Sequence, residues 1–140
     1  MPGFEEKALC RKVAGVLELS VQRGYEPVTF MRLWLNSKTA DNLFHWNFND
    51  VAQSKQYLLH SLELEYGINP QDYGQPQNEK MSQVMYWGGY IFMYISLDEN
   101  RKPCEIQKKY NINKVLKCYD TLHSLSAAVA ADEIRKEFIC

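Results

Sequence analysis

The residues of this chain best placed to do chemistry lie together in Tyr119-Asp120-Thr121-Leu122-His123-Ser124. Tyr119 and His123 are four residues apart, so a helix would set phenol and imidazole on one face, one turn from each other. His123 falls where that helix ends, and Ser124 is placed to cap the helix that follows. Two readings compete, and the first is the expected one. In one, these groups stitch a helix-to-helix corner. In the other they form a polar spot for a partner or a ligand beside an aromatic core, with Tyr119, Asp120, His123, Ser124 and the aromatic Tyr94 as candidate binding residues.

Little else suggests reactive chemistry. His45, His60 and His123 each stand away from another His, or from a Cys, at the three- or four-residue spacing that would complete a helical metal site. Cys10, Cys104, Cys118 and Cys140 are scattered singly with no Cys-x-x-Cys pair. That pattern fits reduced thiols in a cytoplasmic protein better than zinc or a disulfide framework. No G-x-S-x-G elbow and no glycine-rich phosphate loop occurs. The expectation is a protein with no catalytic machinery, metal or cofactor of its own.

Pro103 to Leu122 reads as a helix, a turn at Asn111-Ile112-Asn113 and a second helix, a spacing like that of a helix-turn-helix. The second helix would be the one to read DNA, and Lys108, Lys109, Lys114 and Lys117 would be the contacts. Against this stands a net charge of -1, since dedicated nucleic-acid binders carry a basic excess. Val115, Leu116 and Tyr119 on the same helix are also needed for a core. A DNA-binding regulator is therefore the alternative, and another protein is the leading partner.

These groups must be positioned by a chain whose densest apolar and aromatic run is Met81 to Asp98. As a helix it sets Trp87, Tyr90, Ile91, Tyr94 and Ile95 on one face, with Met81, Met85, Phe92 and Met93 opposite, so protein must cover most of it. Gly88-Gly89 point to close approach by a neighbouring helix. The run is too short and too interrupted for a membrane span, which needs about 20 apolar residues. A strand over Tyr90 to Leu97 is the rival, but it has no strand to pair with. Helical spacing also marks Glu5–Arg23 with a stop at Gly24, Pro27–Asn36, and a segment capped by Ser37. After the connector His45–Asn49 comes a helix capped by Asn49 or Asp50 and ended by Gly67. Pro103 opens another, with Asn111 at its left-handed end; Asn113 caps the next. The last starts near Ser124 or Ser126, with Ala127, Ala130, Ala131, Ile134 and Phe138 as its stripe.

The predicted fold is all-α: a compact bundle of about seven or eight helices around a buried aromatic central helix. With 140 residues, 46% hydrophobic and 24% charged, residues 1–140 make one globular domain, and 68–78 is a candidate mobile loop. The start, MPGFEEKALCRK, has acids where an export signal needs an apolar run, so the expected location is the cytoplasm.

Tyr90 and Tyr94, then Tyr119, Leu122, His123 and Ser124, then Glu133 and Ile134 make a longer pattern. It comprises an aromatic helix, a short helix, and Tyr-x-x-Leu-His-Thr/Ser ahead of a final helix with an Asp-Ile or Glu-Ile pair. Over Tyr86 to Phe138 the chain resembles, in this pattern, a family of small bacterial helical domains of unknown function. Ser124 replaces the usual Thr and keeps the hydroxyl. Members of that family often accompany ADP-ribosyltransferase-like or other toxins. The resemblance thus implies an antitoxin-like protein-binding module, with a toxin encoded nearby as partner, and it implies no activity.

Overall fold

The computed structural model describes residues 2–70 and 78–137. Among them stand ten helices and no strand: α1 (Phe4–Gln22), α2 (Pro27–Leu35), α3 (Lys38–Phe44), α4 (Phe48–Val51), α5 (Lys55–Tyr66), α6 (Glu79–Glu99), α7 (Pro103–Lys109), α8 (Ile112–Leu116), α9 (Tyr119–Leu122) and α10 (Ala127–Glu137). No helix among the described residues is long and apolar enough to cross a membrane. Most of the expected loop falls on 71–77, outside the described residues, as do Phe138 and Cys140.

Local chemistry sets most helix ends. The Ser37 hydroxyl accepts the Ala40 N–H at 2.9 Å to start α3. Pro27 and Pro103 sit in the first turns of α2 and α7, where a missing N–H costs nothing. Gly24 and Gly67 take left-handed backbone, with φ of 93° and 65°, just past α1 and α5; only glycine does this without steric cost.

Ten helices replace the predicted seven or eight because two long periodic segments are each cut in two. The segment after the aromatic connector starts one cap earlier than expected: Asn47, not Asn49 or Asp50, accepts the Asn49 N–H at 3.1 Å and opens α4. Ser54 then accepts the Tyr57 N–H at 3.1 Å and restarts the chain as α5. Likewise Asn111, not Asn113, caps α8 by accepting the Lys114 N–H at 3.0 Å. Asn111 is accordingly extended rather than left-handed, with φ -65° and ψ 124°. A break at Lys117–Cys118 separates α8 from α9. Short polar side chains offer the backbone hydrogen bonds that compete with an unbroken helix, and apolar periodicity does not register them.

α6 packs along α1 and also touches α2, α7, α8, α9 and α10. Its Met85, Ile91, Phe92, Met93, Tyr94 and Ile95 are buried, while Tyr90 is half-buried. The two glycines serve two different contacts. A Cβ on Gly89 would lie 3.1 Å from the Ala14 Cα and 3.1 Å from Leu17, so α1 and α6 meet there backbone to backbone. A Cβ on Gly88 would lie 2.5 Å from the tip of Leu116 on α8.

The C-terminal end of α6 is tied down by charge. Glu99 accepts from the Tyr110 hydroxyl at 2.7 Å, the Arg135 Nε at 2.9 Å and the Lys109 Nζ at 3.0 Å. Arg135 also donates to Asp98 at 2.6 Å. One cluster therefore joins α6, α7 and α10. Burial pushes the Glu99 carboxyl up, but hydrogen bonds from Tyr110, Arg135 and Lys109 outweigh it and hold the group at about 2.

Candidate functional site

α9 packs on α6 and carries Tyr119, with His123 as the residue that ends it. The rings stack with centroids 4.2 Å apart and planes 11° from parallel. His123 Nδ1 donates to the Tyr119 carbonyl at 2.7 Å; a carbonyl can only accept, so Nδ1 carries a proton. Trp87 meets Tyr119 edge to face at 6.0 Å and 79°, the arrangement that aromatic quadrupoles favour. The Tyr119 hydroxyl donates to Gln83 Oε1 at 3.4 Å.

Between these rings and α1 opens a hollow of about 410 Å³, lined by Glu18, Gln83, Tyr86, Trp87, Tyr90, Tyr119 and His123. Tyr86, Trp87, Tyr90 and Tyr119 are half-buried and His123 is exposed, so aromatic surface faces solvent here. Burial pushes the Tyr90 phenol up, which keeps it neutral and able to donate. Beside Tyr119 in sequence, Asp120 pairs with Lys80 at 2.7 Å. The same Lys80 ammonium stands 5.1 Å from the Tyr119 ring centre, within cation–π range.

Of the candidate binding residues, Tyr119 and His123 line the hollow, while Asp120 does not line it and is held by Lys80. Tyr94 stacks on Tyr90 at 6.5 Å but is 1% exposed and belongs to the core. Ser124 is exposed and does not cap α10. Ser126 does, accepting the Val129 N–H at 3.2 Å, since the chain needs two further residues to turn out of α9.

Glu18, Gln83, Tyr86, Trp87 and Tyr90 complete the site, and none of them is among the expected binding residues. Gln83, Trp87 and Tyr90 share a helical stripe, and that spacing was the available signal. Glu18 carried none, because only the packing of α1 on α6 brings it there.

The four lysines of the alternative reading do not form one face-on set. Lys109 is held by Glu99, while Lys108, Lys114 and Lys117 are exposed. α8 has five residues, about 7.5 Å of helix, and buries Ile112, Val115 and Leu116. The reader helix expected over 113–122 is thus interrupted.

Elsewhere, His45 Nδ1 donates to the Asp41 carbonyl at 2.9 Å and His60 lies 3.7 Å from Glu63. Among the described residues no group of three His, Cys, Asp or Glu side chains is arranged to hold a metal. Cys10, Cys104 and Cys118 are unbridged. Burial pushes the Cys10 thiol up to about 12.

A second apolar surface surrounds a hollow of about 340 Å³ near the N-terminus, lined in part by Phe4, Leu9, Trp46 and Val51. Phe4 is 84% and Phe48 82% exposed, and Trp46 has left-handed backbone with φ 56°.

Comparisons of the chain with protein-family models, curated proteins and solved structures return no match.

Proposed function

We propose that this chain is a cytoplasmic, non-enzymatic protein-binding module that receives its partner in the aromatic hollow between α1, α6 and α9. One observation carries the reading: four half-buried aromatic side chains and an exposed histidine surround an open space of about 410 Å³. Tyr and Trp are enriched at the centres of protein interfaces, where they supply large contact area at little cost in side-chain entropy. α6 acts as the aromatic central helix of the bundle, presenting Trp87 and Tyr90 outward while Ile91 and Tyr94 hold the interior. The antitoxin-like role, in which the partner is a toxin encoded nearby in a bacterial genome, rests on the resemblance of the Tyr-x-x-Leu-His-Ser stretch alone.

Co-expression with the product of the neighbouring reading frame, followed by size-exclusion chromatography, tests this. Co-elution that is lost in Tyr119→Ala and His123→Ala, with both variants retaining the helical circular dichroism of the parent, is the expected result. Co-elution untouched by both substitutions would remove the hollow from the account.

A further inference from the structure

The aromatic hollow continues into a polar one. A second space of about 390 Å³ is lined by Gln22, Asn78, Glu79 and Ser82, and the two share Glu18 and Gln83 as a common wall. Together they make a two-lobed groove with aromatic rings at one end, Glu18 where the lobes meet and Glu79 at the other end. The side chains of Glu18 and Glu79 each make no hydrogen bond or ion pair with the described residues. The nearby cation Lys80 is already engaged by Asp120, and Arg11, two turns earlier on α1, lines neither lobe. Among the described residues, then, nothing compensates the groove's negative charge.

From this charge complementarity we infer that the groove takes an extended segment of a partner protein, carrying a basic side chain, arginine before lysine, near an apolar one. Glu18 stands where the lobes meet, so a guanidinium placed there pairs with the carboxylate while its flat face lies against the aromatic end. Arginine suits both contacts: it forms planar, charge-assisted hydrogen bonds to carboxylates and stacks on aromatic rings, which a lysine ammonium does less well. The apolar neighbour fills the space beside Trp87 and Tyr119. The inference rests on the protein-binding reading and adds the chemistry of what is bound.

The test uses the full chain, isotopically labelled for NMR, and the capped peptide acetyl-Gly-Arg-Gly-Leu-Gly-amide. In an extended peptide the arginine and leucine side chains, two residues apart, point to the same side. A matched peptide with citrulline for arginine keeps the shape and removes the charge. The arginine peptide should shift amides near Glu18, Gln83, Trp87 and Tyr119, and citrulline should weaken binding at least about threefold. Glu18→Gln, alone or with Glu79→Gln, should reduce the arginine peptide to the citrulline level and leave the citrulline peptide unchanged. Equal affinity of the two peptides, an undiminished preference in the double variant, or no shifts in the groove at millimolar peptide overturns the inference.

A natural partner separates the two proposals. Binding that needs Tyr119 but ignores Glu18→Gln/Glu79→Gln keeps the interface and discards the basic segment. Binding that ignores Tyr119→Ala discards both.

Discussion

Replacing Glu99 with Gln should cost about 2–3 kcal/mol of folding stability. The side chain is 13% exposed and accepts three hydrogen bonds, from Tyr110, Arg135 and Lys109. A hydrogen bond to a charged group contributes about 1.5–3 kcal/mol, and pairs that still see solvent contribute less. Gln keeps the shape and one accepting oxygen, but its NH₂ faces donors that then lack an acceptor, so part of the cluster is lost rather than all. In a domain of 140 residues that loss lowers the melting temperature by about 6–10 °C. The pH dependence supplies a second check. Glu99 sits at about 2 in the fold against an ordinary 4.5. Its contribution is therefore fully present above about pH 4.5 and disappears as pH falls through about 2. Thermal melts of parent and variant from pH 7 to pH 2 should show a gap that is constant down to about 4.5 and narrows below it. A variant melting within about 1 °C of the parent at pH 7, or a gap that does not narrow in acid, would refute the clamp.

Gly89→Ala should destabilise by about 1–3 kcal/mol through overpacking, because the added methyl meets the α1 backbone at Ala14. Gly88→Ala should cost less, since the tip of Leu116 can give way and alanine adds helix propensity; urea denaturation of both orders them. Ser126→Ala should lose about 1 kcal/mol as the α10 cap, and Ser124→Ala should stay within about 0.5 kcal/mol of the parent; the reverse order in thermal melts would place the cap at Ser124. A thiol reagent at pH 8 should label Cys104, which is part-exposed, well before Cys10, which is buried with its thiol pushed up to about 12; mass spectrometry of the first labelled species reads this directly.

What could be read in the chain was local. Ser37, Pro27, Pro103, Gly24 and Gly67 act within a few residues of themselves, and each marks a helix end as its type predicts. The breaks around Ser54 and Cys118 were hidden because leucine and tyrosine spacing runs smoothly across them. In the site, Tyr119 and His123 were legible as a one-turn pair, and they do stack. Glu18 was not, because a polar residue on an amphipathic helix looks the same whether it faces water or the mouth of a groove. The Glu99–Arg135 pair was invisible for a related reason: it spans 36 residues, and nothing in either neighbourhood names the other.

The exposed His123 also shifts the weight between corner and interface. Its bond to the Tyr119 carbonyl is made within the chain, as a stitched corner requires. With the ring gone, however, the Tyr119 carbonyl still accepts the His123 backbone N–H at 2.9 Å, so no acceptor is stranded. Losing the imidazole should therefore leave folding nearly intact while opening one side of the hollow.

Hydrogen exchange on the complex with the neighbouring reading frame's product tests the central claim most directly. Added protection should gather on 83–90 and 119–123, the segments that frame the aromatic hollow. Protection confined instead to the N-terminal surface around Phe4, Trp46 and Phe48 would contradict the account and move the interface to that second hollow.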